Sequence, residues 1–307
     1  MNTRILTPTK ENIELCARAV KEGKIVAFPT ETVYGLGANA FDPTATKKIF
    51  EAKGRPGDNP LIVHIADKSQ IGEVAESIPP LAGKLIDRFM PGAITLLLKK
   101  KQTVPNEVTA GLDTVGVRMP SNPVCRSFLS ACGVPVCAPS ANTSTRPSPT
   151  CARHVLDDLD GKIEYILDGG DCEIGLESTI LDMSGDRPRL LRSGGISLER
   201  IRAVLDCEIE MGREKEDDKP LCPGMKYKHY SPKAEVYFSA FYAGMTRGIS
   251  DLYDMLVNME KKPVILCLDS HYSIYSPKKC YKMGKSYEDY AHNLFGALRR
   301  ADNEGFD

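Results

Sequence analysis

Two cations lie close together in a turn-rich segment. Lys53 and Arg55 are separated by one residue in KGRPGDNPL, residues 53–61, which also contains two glycines and two prolines. In an extended backbone, side chains two residues apart share a face, so both cations can converge on one anion. Paired cations suit the charge of a phosphate group. Taken alone, the motif is also typical of a solvated basic turn, because charged residues are common on surfaces.

A second cluster is rich in neutral hydrogen-bonding groups. CAPSANTSTRPSPT, residues 137–150, begins where a predicted strand ends, and Ser140 and Asn142 have the same i, i+2 spacing. Hydroxyl and amide groups there suit ligand oxygens or a ribose, although ordinary polar loops have the same composition. Arg118 in VGVRMP also ends a predicted strand. It could bind a ligand carboxylate in bidentate fashion or pair with a structural acid.

Further polar residues flank the next predicted strand, in LESTILD and LLRSGGIS. Ser178 precedes the strand, and Arg192 leads into Gly194 and Gly195. Adjacent glycines form a turn that lets the backbone approach a ligand closely. Each of these signals is weak by itself.

The stretch FPTETVYGLGANA, residues 28–40, has the spacing G-x-G-x-x-A from Gly35 to Ala40. A dinucleotide fingerprint requires its first glycine at a strand end, a helix starting within the motif, and an acidic residue about 20 positions further on. Here PTETVY lies between the strand KIVAF and Gly35, and the acidic residue is missing. We therefore expect no dinucleotide turn, and predict that Gly35 and Gly37 let the chain turn tightly.

The elements that must position these clusters alternate along the first 200 residues. Periodicity predicts strands over residues 24–28, 61–65, 93–98, 114–119, 134–138, 165–168 and 178–182, and helices over residues 11–22, 43–52, 80–89 and 123–132. Strands mixed with helices predict an α/β or α+β domain with one main sheet.

The composition changes after residue 211. Residues 212–232, GREKEDDKPLCPGMKYKHYSP, contain a charged run and three prolines, which is typical of a linker. Strands predicted over 234–238 and 263–268 then alternate with helices over 247–260 and 287–301. We therefore predict a first domain over 1–211, a linker over 212–232, and a small Rossmann-like α/β domain over 233–307. The last helix is followed only by GFD, where a further strand is expected, so we expect this domain to be truncated or to end atypically.

Composition limits the class of protein. The sequence has 40 Lys and Arg against 41 Asp and Glu, so its net charge of −1 gives no global basic field for coating nucleic acid. A local basic cleft is compatible with this net charge. The sequence has no signal peptide and no run of 18 apolar residues, which predicts a soluble, cytoplasmic protein without membrane contact. The ten cysteines are scattered without zinc spacing, which predicts small buried apolar residues and no metal site.

In their order, the motifs are far more specific than any one of them. FPTETVYGLG, KGRPGDNPL, PGAITLLL, VGVRMP, APSAN, and ESTILD with LLRSGGIS resemble the YrdC-like threonylcarbamoyl-AMP synthases over residues 12–205. PGMKYKHYSPKA is similar to the longer two-domain members, whose linker lies over the active site. The resemblance implies an open, twisted, mixed α/β sheet with a basic concave cleft, followed by a Rossmann-like domain.

Such enzymes convert L-threonine, bicarbonate and ATP into threonylcarbamoyl-AMP and pyrophosphate. A downstream transferase then places the threonylcarbamoyl group on an adenosine of certain tRNAs, and a weak contact of this chain with tRNA is left open. The resemblance implies Mg²⁺ carried with ATP, because no carboxylate cage is visible in the sequence. No side chain need become a covalent nucleophile, since positioning and charge neutralisation suffice for phosphoryl transfer.

The resemblance also implies site residues, position by position. The KxR and SxN residues of the family match Lys53, Arg55, Ser140 and Asn142, which are expected to be catalytic. Contacts to L-threonine are expected from Thr32, Tyr34, His64, Arg118, Ala138 and Ser178. Contacts to ATP are expected from Lys53, Arg55, Asn59, Thr114, Ser140, Ser148, Arg192 and Tyr230.

Two other functions would use the same cleft. A double-stranded RNA-binding module without adenylation activity would need a basic cleft, which the overall charge does not favour. A carbamoyl-adenylate enzyme of the hydrogenase-maturation type would be joined to zinc-finger modules, and this sequence has no paired C-x-x-C motifs.

Overall fold

The computed structural model describes residues 2–212, 220–223, 230–238 and 245–307. Contacts within the chain divide it into two compact units, Met1–Ser144 with Ser148–Lys228, and Thr145–Pro147 with His229–Asp307. A three-residue segment of the second unit therefore interrupts the first. The domain boundaries expected from composition stay a prediction.

The elements of the first unit alternate between strands and helices. Its strands are β1 (Arg4–Leu6), β2 (Val26–Phe28), β3 (Gly35–Asn39), β4 (Ile62–His64), β5 (Ile94–Lys99), β6 (Thr114–Arg118), β7 (Val136–Ala138), β8 (Tyr165–Leu167), β9 (Thr179–Asp182), β10 (Arg189–Arg192) and β11 (Glu210–Met211). Its helices are α1 (Lys10–Lys21), α2 (Pro43–Lys53), α3 (Ile71–Val74), α4 (Pro80–Phe89), α5 (Asn106–Thr109), α6 (Pro123–Cys132), α7 (Ala152–Leu159) and α8 (Leu198–Leu205).

Within the described residues, these strands form one mixed sheet in the order β1-β8-β2-β3-β7-β4-β6-β5-β9-β10-β11. The pairs β1–β8, β8–β2, β4–β6, β5–β9 and β10–β11 are parallel. The pairs β2–β3, β3–β7, β7–β4, β6–β5 and β9–β10 are antiparallel. The mixed α/β sheet predicted from the sequence is thereby confirmed.

The tight turn predicted at Gly35 and Gly37 is wrong. Gly35 and Gly37 do not form a tight turn, because both lie in β3, which pairs antiparallel with β2. A Cβ atom at Gly35 would lie 2.9 Å from Cζ of Phe28, and one at Gly37 would lie 2.7 Å from Cε1 of the same ring. The two glycines therefore allow close packing against Phe28.

The sheet buries apolar side chains on both faces. Val26 and Phe28 contribute to a cluster with helices α1 and α6, whereas Ala27 belongs to the larger cluster on the opposite face. Alternate residues of a strand point to opposite faces, which accounts for this division. The cysteines predicted to be buried apolar residues include Cys16, Cys125, Cys132, Cys137, Cys172, Cys222 and Cys267, all of which are buried.

The second unit contains α9 (Met245–Asn258), β12 (Ile265–Cys267), α10 (Tyr272–Tyr275), β13 (Cys280–Lys282) and α11 (Tyr287–Glu304). Strands β12 and β13 are parallel, and α11 begins with a capping box between Ser286 and Asp289. This arrangement agrees with the Rossmann-like unit expected.

The strand predicted over residues 234–238 is wrong. These residues form no strand, and Val236, Tyr237 and Phe238 are exposed. The apolar pattern favours a strand locally, but a strand also needs a paired neighbour and a face to bury. Among the described residues, no helix is long and apolar enough to cross a membrane.

Candidate active site

One face of the sheet carries several of the predicted site residues. The register pairs His64 of β4 with Arg118 of β6, and Ala138 of β7 with Ile62 of β4. Residues in register on neighbouring strands point to the same face, and so do residues two or four apart on one strand. Thr114 therefore shares the face of Arg118, but about 13 Å away at the other end of β6. The face thus has two ends.

His64 is buried at the first end of the face. Its Nδ1 is 3.1 Å from the Ile62 carbonyl oxygen, and the Phe28 ring meets its imidazole edge-on at 5.7 Å between ring centroids. Burial, together with the neighbouring Arg118 charge, lowers the pKa of His64 to about 3. The imidazole is therefore neutral, so it can form hydrogen bonds with a ligand without adding positive charge.

Arg118 faces an acid that the sequence analysis did not identify. Its Nη2 lies 2.8 Å from Oε1 of Glu31, and both residues are buried. The two atoms are at ion-pair distance, but the N–H is not aligned with the oxygen as a hydrogen bond requires. Among the described residues, Nε and Nη2 of Arg118 and both carboxylate oxygens of Glu31 have no hydrogen-bond partner. Arg118 was expected either to pair with a structural acid or to bind a ligand carboxylate. The structure shows the acid, Glu31, and Arg118 also has N–H donors for a ligand.

Thr30 fixes the loop that contains Glu31 and Thr32. Its hydroxyl accepts hydrogen bonds from the backbone N–H groups of Thr32 and Val33, donates to the Val33 carbonyl at 2.6 Å, and lies 2.9 Å from the Thr32 hydroxyl. Such bonds by a threonine side chain to its own loop stabilise a turn. Thr32 is thereby held in place, fully buried, next to Glu31.

Tyr34 contributes to the site through its backbone. Its hydroxyl donates to the Gly170 carbonyl at 2.7 Å and accepts from the Gly169 N–H at 3.1 Å. The phenol therefore holds the loop after β8. The Tyr34 carbonyl accepts from the Ala141 N–H at 2.8 Å, which joins the threonine-rich loop to the segment after β7.

Three of the four KxR and SxN residues form one cluster. Lys53 is buried, and its ammonium donates to the backbone carbonyls of Ser140 and Asn142. The Ser140 hydroxyl donates to Oδ1 of Asn142 at 2.6 Å. Because Ser140 follows Ala138 on a strand antiparallel to β4, this cluster lies toward the start of β4, away from His64.

Helix α2 places Lys53 in this cluster. Its N-cap, Asp42, accepts from the N–H groups of Thr44 and Ala45, and its C-cap, Gly54, has the left-handed φ of 60°. Lys53 is the last helical residue, so the extended spacing assumed for Lys53 and Arg55 does not hold. The prediction that the two cations converge on one anion assumed an extended backbone, and that assumption is wrong.

Arg55 braces the segment that leads into β4. Its Nη2 lies 3.4 Å from the Asn59 carbonyl oxygen and 3.3 Å from that of Pro60. Asn59 is buried, and its Oδ1 has no partner among the described residues. This segment lies at the end of the face where Thr114 begins β6, since Ile62 is in register with Gly116.

Ser178 and Arg192 are bonded to each other beside β5. The Ser178 hydroxyl lies 2.8 Å from the Thr95 hydroxyl, and Arg192 donates from Nε to the Ser178 carbonyl and from Nη2 to its hydroxyl, each at 3.1 Å. The glycine turn after Arg192 packs closely on the protein backbone. A Cβ atom at Gly194 would lie 2.3 Å from the Glu177 carbonyl oxygen.

Glu177 connects two residues expected to contact ATP. Its Oε1 accepts from the Ser148 hydroxyl at 2.8 Å, and its Oε2 lies 3.5 Å from Nη2 of Arg192. Sequence reasoning missed Glu177, Glu31, Thr30 and Thr95. The available signal was adjacency, since Glu177 precedes Ser178, and Glu31 precedes Thr32.

The described part of the linker packs on the same sheet face. Cys222 is buried in an apolar cluster with Ile62, Leu97 and Ile180, and Leu221 packs against that cluster. The Pro223 carbonyl accepts a hydrogen bond from Nη1 of Arg192 at 3.1 Å.

Tyr230, by contrast, belongs to the second unit, where its ring lies 5.3 Å from that of Phe295. The other predicted site residues belong to the first unit. The linker residues 224–229 lie outside the described residues.

Comparison with known proteins identifies the family. The family model Sua5_yciO_yrdC, described as telomere recombination, matches residues 18–194, and a model described as threonylcarbamoyl-AMP synthase, C-terminal domain, matches residues 196–307. The chain is 46% identical over 299 residues to a threonylcarbamoyl-AMP synthase of Pyrococcus abyssi, covering 96% of this chain and 86% of the relative.

Two further comparisons agree with this match. A threonylcarbamoyl-AMP synthase of Bacillus subtilis is 44% identical over 306 residues, covering 98% of this chain and 88% of the relative. The crystal structure of P. abyssi Sua5 complexed with L-threonine gives a TM-score of 0.94 at 45% identity, covering 99% of this chain and 91% of that chain. The chain therefore belongs to the two-domain threonylcarbamoyl-AMP synthases of the Sua5/YrdC family.

Proposed function

We propose that the chain condenses L-threonine, bicarbonate and ATP into threonylcarbamoyl-AMP and pyrophosphate. The observation that carries the proposal is the sheet face with two chemically different ends. Arg118 and neutral His64 lie at one end, and the cluster of Lys53, Ser140 and Asn142 lies toward the other. Such a face suits an amino acid at the first end and a nucleotide at the second.

The amino-acid end would hold L-threonine, which is also the ligand named for the P. abyssi Sua5 structure. Arg118 would bind the carboxylate, because a guanidinium with unused N–H donors suits bidentate recognition. Thr32, His64 and Ser178 would contact the remaining polar groups. The small side chain of Ala138 would leave room for the substrate on the same face.

The nucleotide end would position ATP for attack by the carbamate of threonine. The amine of threonine combines with bicarbonate to give the carbamate and water; a carbamate oxygen then attacks the α-phosphorus, and pyrophosphate leaves. Arg55 would offset negative charge there, and Lys53 would hold the Ser140–Asn142 segment that faces the phosphates. Asn59, Thr114, Ser148, Arg192 and Tyr230 are the remaining proposed ATP contacts.

We propose Mg²⁺ as an ion that ATP brings to the site. Among the described residues, no group of three or more His, Cys, Asp or Glu side chains converges on one point. The donors near the proposed phosphate position are an ammonium, a guanidinium, a hydroxyl and an amide. Phosphate oxygens and water would therefore hold the ion, as Mg²⁺ prefers, and it would neutralise phosphate charge.

The product would pass to a transferase that modifies an adenosine in tRNA. Threonylcarbamoyl-AMP is a mixed anhydride, so a receiving enzyme must transfer its acyl group to a nucleophile and release AMP. A direct contact between this chain and tRNA and a cytoplasmic location are parts of the same proposal.

Pyrophosphate release tests the proposal directly. The chain should release pyrophosphate from ATP only when L-threonine and bicarbonate are both present. Ser140→Ala, which removes the hydroxyl bonded to Asn142, should lower turnover by up to roughly 100-fold. Ser127→Ala, on the exposed side of α6, should not. Release that is indifferent to threonine would refute the synthase proposal, and RNA retention without release would favour the RNA-binding alternative.

A further inference from the structure

The buried pair of Glu31 and Arg118 contains polar atoms without hydrogen-bond partners among the described residues. Glu31 is 2% exposed and Arg118 is 3% exposed, yet two nitrogens of the guanidinium and both oxygens of the carboxylate have no hydrogen-bond partner among the described residues. Native proteins satisfy the large majority of buried polar atoms. Nη2 of Arg118 and Oε1 of Glu31 compensate each other's charge at ion-pair distance, so Nε of Arg118 and Oε2 of Glu31 are the atoms that indicate a ligand completing the hydrogen bonding of the pair.

The pair offers both kinds of charge to that ligand. An anion alone would satisfy Arg118 but would add negative charge beside Glu31 in a buried place, and a cation alone would have the opposite effect at Arg118. A free α-amino acid carries an ammonium and a carboxylate on one carbon. It can therefore satisfy both side chains without changing the net charge of the pair.

The surroundings fix the backbone of Glu31, and the thiol and imidazole groups near its side chain are uncharged. The Glu31 carbonyl accepts from the Ile174 N–H at 2.7 Å, and the neighbouring Thr30 hydroxyl fixes the loop. Burial raises the pKa of the nearby thiols of Cys125 and Cys172, so both remain uncharged. His64 is neutral as well, whereas the Glu31 carboxylate lies beside Arg118 at this end.

We propose that Glu31 binds the α-ammonium group of the amino acid substrate while Arg118 binds its carboxylate. The Glu31–Arg118 pair would thus recognise the zwitterion as a unit, and Glu31 is a substrate-binding residue that the family motifs did not assign. The inference rests on the proposed function, because it concerns the amino acid at that site.

The test compares two ligands that differ only in the amino group. L-threonine and (R)-3-hydroxybutyrate are titrated into the full chain by ligand-observed NMR, which reaches millimolar dissociation constants. The variants are Glu31→Gln, which removes the charge, and Glu31→Asp, which keeps the charge but shortens the side chain. Asp182→Asn serves as the matched control, because it removes another largely buried carboxylate that pairs with an arginine, Arg189, outside the proposed site. Circular dichroism verifies that each variant is folded.

We expect the wild type to bind L-threonine roughly 10- to 100-fold more tightly than (R)-3-hydroxybutyrate, as for a charge-assisted hydrogen bond. Glu31→Gln should lose most of that preference while binding (R)-3-hydroxybutyrate as well as before or better. Glu31→Asp should fall between, and Asp182→Asn should keep the preference. If Glu31→Gln does not fold, the ratio of the two dissociation constants in Glu31→Asp decides instead.

Other outcomes separate the two proposals. If Glu31 only held Arg118 in place, both ligands would weaken equally in the Glu31 variants, and the ammonium-binding role would be wrong. A wild type that binds both ligands equally would overturn it as well. A wild type that binds no L-threonine at all, with or without ATP, would instead overturn the proposed synthase function.

Discussion

The Lys53 ammonium donates to both the backbone oxygen and the side-chain oxygen of Asn142, and Lys53 is only 1% exposed. The lysine is therefore part of the structure that holds the segment after β7, in addition to any charge that it offers a ligand. Its removal would take a charged donor away from the carbonyls of Ser140 and Asn142, each at a cost of roughly 1–3 kcal/mol.

Replacing Lys53 should affect stability and turnover together. Lys53→Met keeps most of the unbranched side chain but removes the donor, so we expect the free energy of unfolding to fall by roughly 2–5 kcal/mol. Pyrophosphate release should fall strongly, because the Ser140–Asn142 segment loses its anchor. Urea unfolding and the release assay measure the two effects.

Lys48→Met is the control on the same helix. Lys48 is exposed and also donates to a carbonyl, that of Gly23 at 2.7 Å. We expect little change in either measurement. A Lys53→Met variant with normal stability but no turnover would mean that the lysine acts mainly through its charge.

The sequence indicates most of the sheet because its strands are short apolar runs. The predicted segments 61–65, 114–119 and 165–168 each contain the observed strand. Strand β3 was missed because its glycines disfavour strands locally, and close packing against Phe28 is visible only in three dimensions.

The site could be predicted as a set of motifs but not as a set of contacts. Lys53 meets Ser140 because β7 returns beside α2, across 87 positions of sequence. Glu31 is one acid in a polar loop, and nothing local indicates that Arg118 will be opposite. Such pairs depend on strand order and register, which single-sequence patterns do not determine.

The linker should depend on Cys222 for its attachment to the first unit. Cys222 is buried among Ile62, Leu97 and Ile180, so Cys222→Asp would place a carboxylate in an apolar cluster. We expect residues 220–223 to detach, proteolysis in the linker to accelerate, and turnover to fall by roughly 10-fold or more if the linker covers ATP. Limited proteolysis and the release assay provide the measurements.

Cys207→Asp provides the matched control, because Cys207 is exposed. It should leave both the proteolysis pattern and turnover close to those of the wild type. Faster linker cleavage with unchanged turnover would show that catalysis does not need the linker at this place.

His64 should remain neutral from neutral pH down to about pH 5. Its pKa is lowered to about 3 by burial and by Arg118, whereas an unfolded histidine has a pKa of about 6.5. The unfolded chain therefore binds a proton that the folded chain does not. The contribution of His64 to stability is complete above pH 6.5 and declines toward pH 3 by up to about 1.4 kcal/mol per pH unit.

Imidazole NMR shifts measure this pKa, with His64→Gln identifying the signal. We expect no protonation of His64 between pH 7 and pH 5. Between pH 7 and pH 5, the free energy of unfolding of the His64→Gln variant should also fall less than that of the wild type. A His64 signal that titrates near pH 6.5 would contradict the burial and the charge environment described for this residue.

The Phe28 ring should explain why β3 needs glycine. The three atoms nearest to a Cβ atom at Gly35 would all be ring atoms of Phe28, at 2.9, 3.2 and 3.4 Å, so Gly35→Ala is expected to cost roughly 1–3 kcal/mol by overpacking. Phe28→Leu makes space at that point. The double variant should therefore be more stable than the sum of the two single changes predicts, with a coupling of roughly 1 kcal/mol by urea unfolding.

Gly37→Ala tests whether the ring contact, or any alanine in β3, causes the loss of stability. Its Cβ atom would lie 2.6 Å from Cγ1 of Val136 as well as 2.7 Å from Cε1 of Phe28. Phe28→Leu can relieve only one of these contacts, so we expect a smaller coupling for this pair than for Gly35 and Phe28. Equal couplings, or additive effects at both positions, would mean that backbone conformation and not the Phe28 ring selects glycine in this strand.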